Sequence, residues 1–238
     1  MNYYDISCTN PWWNMAFDEW LLQYGPDEPV FRLWRNEPSV IIGHNQVAAQ
    51  EVNLEYLQQH GIKLARRVTG GGAVYHDLQN LNYSFAGPIS SVSPDLFAEA
   101  LQSLGLPAEL TGRNDIFVAG RKISGYARSV WHNRELVHGT LMYDVDIDTL
   151  TAALNVEGSS KLNLKGVASV RSRVTNVREL LPQFASLDEV QAALQDFLSA
   201  GGSAQKNGGK LSLSPAEKAS VDSLTSQKFA SSDWIYKL

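Results

Sequence analysis

The sequence predicts an α+β fold: a mixed, mainly antiparallel sheet with helices packed around it. Two observations carry this. Strand-like runs separated by turn formers crowd residues 30–145. The longer helical periodicities lie on the flanks, near residues 11–24 and 186–198. At 238 residues, 44% hydrophobic and 19% charged, the chain suits one large domain with a sizeable core.

Taken in order, Asn10-Pro11 reads as an N-cap followed by proline at the first helical position. Trp13, Ala16, Phe17, Trp20, Leu21 and Tyr24 then recur at helical spacing, and Gly25-Pro26 stops the helix. VFRLW (30–34) and SVIIG (39–43) read as strands around the turn Asn36-Glu37-Pro38. A polar helix near 53–60 ends at Gly61. IKLARRV (62–68) and AVYHD (73–77) are strands on either side of three glycines, and NLNYSFAG (80–87) continues as a strand. Ser93 caps a helix to about Leu104. DIFVAGRKISGYARSV (115–130) reads as a hairpin turning at Ala119-Gly120, and LVHGTLMYDV (136–145) as the next strand. A short helix follows near 148–154, and Ser186 opens another to about Leu198. GGSAQKNGGK (201–210) is expected to be a flexible surface turn. Ser214-Pro215 with Glu217 is a capping box. The strands are expected to come as neighbouring hairpins.

A net charge of -5 argues against a general nucleic-acid binder. The single cysteine, Cys8, cannot form an internal disulfide, which fits a reducing compartment. The N-terminus shows no signal-peptide pattern, and no apolar run approaches the roughly 18 residues of a membrane span. A cytoplasmic protein without membrane or nucleic-acid partners is expected.

RRVTGGGAVYHD (66–77) sets a glycine trio between two arginines and a His-Asp pair. Such a bare backbone lets a ligand touch the main chain, and consecutive N–H groups make an anion-binding concavity. The alternative is a tight turn between strands. The string is neither a P-loop nor a dinucleotide-binding fingerprint. GRNDIFVAGRKISG (112–125) brings Asp115 and Lys122 within a few residues of each other across a hairpin. That is either a surface ion pair or a place where Asn114 and Asp115 hold Mg²⁺ and Lys122 faces an oxyanion. VHGT (137–140) carries one histidine, structural or functional. SVRSRVTN (169–176) offers two arginines on one strand face, a solvated edge or an anion contact. Zinc-ligand spacing and nucleophile-elbow motifs are absent from the sequence, and Cys8 reads as a bystander.

RRVTGGGAVYHDLQNLNYSF, GRNDIFVAGRKISGYA, VHGTLMYDV and KGVASVRSRVTN together resemble the lipoate-protein ligase A family, in its order and spacing, over about residues 28–182. The resemblance implies the fold shared with biotin-protein ligases. It also implies a two-step reaction: lipoate and MgATP form lipoyl-AMP, and the lipoyl group passes to a lysine of a lipoyl carrier domain. The carrier would be of the 2-oxoacid dehydrogenase E2 or glycine-cleavage H-protein type.

By the same resemblance Lys122 is the catalytic lysine, and Asn114 and Asp115 flank the phosphate and Mg²⁺, with Asp115 the metal residue. Arg67, Gly70, Gly71, Gly72, Ala73, Val74, Tyr75, His76 and Asn80 border the acyl-adenylate. Trp34 and Ala127 wall the lipoyl pocket. His138 and Thr140 lie near the acyl and phosphate groups. Gln79 and His44 depart from the family's usual glycine and arginine. Many members carry a further accessory domain after the W-x-Y segment. This chain ends at DWIYKL, so a single catalytic domain over 1–238 is expected, with either a separate accessory protein or an enzyme that only transfers. Acyltransferase relatives often use a catalytic-region cysteine; here Lys122 stands without one, which favours adenylate chemistry. An ATP-independent octanoyl or lipoyl transferase and a non-catalytic carrier-binding module are the alternatives.

Overall fold

The computed structural model describes residues 1–111, 114–154, 174–201 and 208–237. Its strands are β1 (Asn2–Tyr4), β2 (Val30–Trp34), β3 (Ser39–Ile42), β4 (Lys63–Arg66), β5 (Val74–His76), β6 (Asn80–Pro88), β7 (Glu109–Thr111), β8 (Asp115–Val118), β9 (Arg121–Trp131), β10 (Arg134–Met142) and β11 (Lys210–Leu211). Eight of them form one sheet in the order β11-β1-β2-β6-β10-β9-β8-β7, and β4-β3-β5 form a second. Pairing in the large sheet is antiparallel except at β1, which runs parallel to both β2 and β11. The small sheet is mixed, β3 being parallel to β4 and antiparallel to β5. The mixed, mainly antiparallel expectation therefore holds.

The hairpin expectation holds only in part. β7-β8, β8-β9 and β9-β10 are sequential pairs, and Ala119 and Gly120 take positive φ at the tight turn between β8 and β9. β2 and β3 are not a hairpin. Both edges of β2 are taken, by β1 and β6, so the chain leaves at Asn36-Glu37-Pro38 and starts a second sheet. β4 and β5, on either side of the glycines, likewise pair with β3 and not with each other.

Three helices begin where the caps predict; the one expected to be capped by Ser93 has Pro94 at its cap position and begins at Asp95. In α1 (Pro11–Tyr24) the Asn10 side chain accepts from the amides of Trp12 and Trp13. Ser186 caps α6 (Leu187–Ser199), and the Ser214–Glu217 capping box opens α7 (Pro215–Leu224). Between them lie α2 (Ala48–Glu51), α3 (Leu54–Gln59), α4 (Asp95–Ser103) and α5 (Ile147–Ala153), and α8 (Ser232–Ile235) closes the described chain. The short strands β1, β7 and β11 were not visible as patterns in the sequence. SVRSRV (169–174) lies outside the described residues apart from Val174, as does most of GGSAQKNGGK.

Period-two alternation in β2 and β6 sorts their side chains onto two faces. Phe31, Leu33, Leu81, Tyr83, Phe85 and Val137 face one way and pack with α4 and α6 residues such as Phe97, Leu101, Val190 and Leu194. Trp34 and Val30 face α1, whose Phe17, Trp20 and Leu21 join Ile41 and Ala65 of the small sheet in a second core. Each fully buried Leu or Phe contributes about 1.5–3 kcal/mol. Between that second face and the small sheet an internal space remains.

Candidate functional site

That space is a cavity of about 140 Å³. Met15, Trp34, Ile41, Val74 and Ala127 supply apolar wall; Arg67, His76, Asn82, Asn114, Lys122, His138 and Thr140 supply polar groups. Strand register explains the gathering. Arg32, Ser84, His138 and Ala127 form one cross-strand row, and Trp34, Asn82 and Thr140 the next, two residues along. The two rows share a face.

A buried relay runs behind the first row. Trp34 Nε1 donates to Ser84 Oγ at 2.9 Å, and Ser84 donates to Asp18 Oδ1 at 2.7 Å. Asp18 Oδ2 lies 2.7 Å from His138 Nδ1, and His138 Nε2 lies 2.7 Å from Thr69 Oγ1. Asp18 sits on the helix that the sequence shows as an apolar stripe.

Arg66 and Arg67 point to opposite sides, as neighbours on a strand must. Arg66 is buried and donates to the carbonyls of Gly43, His44, Gln46, Trp234, Ile235 and Lys237, tying the end of the described chain to the β3 loop. Arg67 lines the cavity, yet its guanidinium is spent on the carbonyls of Ile41, Gly70 and Gly72 at 2.8–3.1 Å. It therefore shapes the glycine loop. Burial pushes its pKa down to about 10, still far above neutrality, so the loop encloses a fixed positive charge. Gly71 takes φ +100, and a Cβ there would stand 2.8 Å from Arg67 Nη2. Among the described residues the amides of Gly70, Gly71 and Gly72 donate to no acceptor, so they are free to meet an anion.

On the far side Lys122 Nζ pairs with Asp115 Oδ1 at 2.6 Å, each about one-third exposed. Lys122 lines the cavity and Asp115 stands beside it. Asn114 is held by reciprocal bonds with Tyr126. Among the described residues there is no cluster of three His, Cys, Asp or Glu able to cage a metal. A lone carboxylate suits Mg²⁺ only if a ligand's phosphates supply most of the coordination.

Eleven of the sequence-predicted residues line one cavity: Trp34, Arg67, Gly71, Gly72, Ala73, Val74, His76, Asn114, Lys122, Ala127 and His138; Thr140 makes a twelfth. Three do not. Tyr75 alternates away from Val74 and His76 and packs in a third core with Val40 and Ile62. Asn80 lies one step behind, donating to Asn82 Oδ1 at 2.9 Å. Gly70 offers its carbonyl to Arg67. Met15, Ile41, Asn82, Gly125, Tyr126 and Gly139 line the cavity without having been singled out. Asn82 and Ser84 had a signal: NLNYSF alternates polar and apolar, and its polar side is fully buried here.

The family model of the lipoyl protein ligase A/B catalytic domain matches residues 10–199. The lipoate-protein ligase LplJ of Bacillus subtilis is 37% identical over 234 residues, 94% of this chain and 69% of that protein. Among solved structures, the bipartite lipoate protein ligase of Thermoplasma acidophilum, described with its E2 lipoyl domain, has TM-score 0.84 at 32% identity, covering 99% of this chain and 95% of that one. A lipoate-protein ligase A bound with ATP has TM-score 0.81 at 31% identity, covering 99% and 98%. No helix of the described residues is long and apolar enough to cross a membrane.

Proposed function

The chain belongs to the lipoyl protein ligase A/B catalytic domain family, and we propose that it joins lipoate to a lysine of a lipoyl carrier domain through lipoyl-AMP. The observation that carries this is the cavity itself. One wall, with Trp34, Met15 and Ile41, suits an aliphatic acyl chain; the other joins Lys122 to a loop of unpaired amides around a buried guanidinium.

In the first step a lipoate carboxylate oxygen attacks the α-phosphorus of ATP, and pyrophosphate leaves. Two anions must approach, so the glycine-loop amides and the Lys122 ammonium supply the positive field. We assign Asp115 as the protein's carboxylate toward the Mg²⁺ of MgATP, with Asn114 beside it; the ion neutralises phosphate charge when bound. In the second step the carrier lysine's amine attacks the acyl carbon and AMP leaves. Lys122 faces the developing acyl oxyanion. Partial enclosure between two sheets supports the reading, because a mixed anhydride must be shielded from water while the carrier lysine still reaches it.

The likeness to the ligase described as bipartite supports a separate protein that assists activation. The carrier proposed is a lipoyl domain of the E2 or H-protein type, in the cytoplasm, where the lone thiol of Cys8 would stay reduced. The test is ATP–pyrophosphate exchange dependent on lipoate, run beside mass analysis of a purified lipoyl domain. Each is repeated with preformed lipoyl-AMP as donor. A carrier mass gain from lipoyl-AMP is expected of the chain by itself, and weak exchange with lipoate that a separate accessory protein raises. A carrier modified only by acyl groups from another carrier, with neither ATP nor lipoyl-AMP used, would overturn the proposal in favour of a transferase.

A further inference from the structure

A second buried relay ends in the cavity. Arg32 Nη2 donates to Asn14 Oδ1 at 2.5 Å. Asn14 Nδ2 lies 2.8 Å from Asn36 Oδ1, and Asn36 Nδ2 lies 3.0 Å from His76 Nδ1. All four side chains are at least 97% buried. They come from α1, β2, the turn after β2, and β5.

The direction of this chain is set at its far end. A guanidinium only donates, so Asn14 must present its oxygen to Arg32. The Asn14 amide nitrogen also meets the carbonyls of Cys8 and Arg35, at 2.9 and 3.2 Å, and those only accept. Asn14 is thus oriented twice over. Its nitrogen faces Asn36, so Asn36 must turn its oxygen there and its nitrogen toward His76. An amide nitrogen cannot accept, so Nδ1 of His76 is the acceptor and the ring's hydrogen sits on Nε2. Nε2 is buried, has no partner among the described residues, and belongs to a cavity-lining ring. Burial, with the Arg67 charge beside it, holds the ring neutral, with a pKa near 3, so the tautomer is the remaining freedom and the relay removes it.

We propose that Arg32, Asn14 and Asn36 are positioning residues that lock His76 as its Nε2–H tautomer, aiming one hydrogen-bond donor at an acceptor atom of the bound lipoyl ligand. This rests on the function proposed above only for the ligand's identity. The arrangement selects for a ligand with an acceptor at that point and against one presenting a donor. Removing any relay member should weaken ligand binding more than it slows the chemistry, because none of the three reaches the reacting atoms.

The test is ¹⁵N NMR of the full chain labelled at histidine. His76 is assigned among the five histidines by its loss in His76→Phe. The free protein should show a pyrrole-type Nε2 and a pyridine-type Nδ1 at neutral pH. Adding lipoate or a non-hydrolysable lipoyl-AMP analogue should shift Nε2 and leave Nδ1 nearly still. Asn36→Ala should give a mixed tautomer signal and weaken analogue binding by about tenfold with kcat within about twofold. In the His76→Phe background Asn36→Ala should change affinity no further, while His76→Gln, which keeps a donor, should recover part of it. An Nδ1–H tautomer in the free protein overturns the proposal, and so does equal loss from Asn36→Ala with or without His76. A protein with the expected tautomer that binds neither lipoate nor the analogue leaves the relay standing and sinks the assigned function.

Discussion

Lys122 Nζ meets Asp115 Oδ1 at 2.6 Å across the β8-β9 hairpin, brought there by an irregularity in register between Ile116 and Phe117. At one-third exposure the pair itself adds less than about 1 kcal/mol to stability. Its interest lies in what a polyanion would do to it. A phosphate group competes with Asp115 for the ammonium, while a divalent ion competes with Lys122 for the carboxylate. MgATP offers both, so under the proposed function the pair would part and hold each component.

Lys122→Met should therefore fold normally and fail chemically. Losing a charge aimed at a developing oxyanion typically costs about 2.7–4 kcal/mol in transition-state stabilisation. Both half-reactions should fall by a factor on the order of 10²–10³. A folded variant that lipoylates a carrier domain at the normal rate would make Lys122 structural.

Gly71→Val is expected to disable ligand binding by disturbing the loop. The position has φ +100, and its Cβ would press on an Arg67 guanidinium that four carbonyl bonds hold in place. The backbone strain alone is about 1–3 kcal/mol. Calorimetry with a non-hydrolysable lipoyl-AMP analogue measures the loss, and unchanged affinity would reduce the trio to a turn.

Element types were legible because strand and helix patterns are local. Asn10, Ser186 and Ser214 announced their helices through side chains that satisfy nearby amides. Sheet assignment was not legible: whether SVII pairs with its sequence neighbour depends on β6 having taken the edge of β2, a contact some fifty residues away. The site divides the same way. Glycines and Lys122 stood in recognisable strings. Asp18, Asn14 and Asn36 did not, since a polar residue on an apolar helix or in a turn looks like a surface group until the fold buries it. Arg67 was found, but a sequence cannot tell a guanidinium facing a ligand from one that holds the loop's carbonyls.

His76 should leave a mark on acid stability. Its folded pKa is near 3, against 6.5 for a free histidine. Above 6.5 neither state binds the proton, and the burial carries no pH-dependent penalty. Below 6.5 the unfolded chain gains a proton that the folded one refuses, so stability falls down to about pH 3. One proton corresponds to about 1.4 kcal/mol per pH unit. His76→Gln, which does not titrate, should flatten the urea-unfolding free energy between pH 6 and 4 by roughly that slope relative to the natural chain. Identical slopes would mean that His76 is protonated in the folded protein.

The relay through Asp18 predicts a difference between two substitutions of similar size. In Asp18→Asn the side chain keeps one acceptor for Ser84 Oγ and turns an N–H toward His138 Nδ1. His138 can answer by moving its hydrogen to Nε2 and donating to Thr69, so the chain of bonds survives with part of its direction reversed. In Asp18→Leu nothing accepts from Ser84, which still holds Trp34 Nε1, and nothing meets His138 Nδ1. Each orphaned buried group costs about 1–3 kcal/mol. Both variants also remove the negative charge that offsets the buried Arg32. Urea midpoints should therefore rank natural chain above Asp18→Asn above Asp18→Leu. Because Trp34 and His138 both line the cavity, KM for lipoate should rise in the same order as stability falls. If Asp18→Leu unfolds no earlier than Asp18→Asn, these atoms have solvent to bond with, and the relay does not hold the wall of the cavity in place.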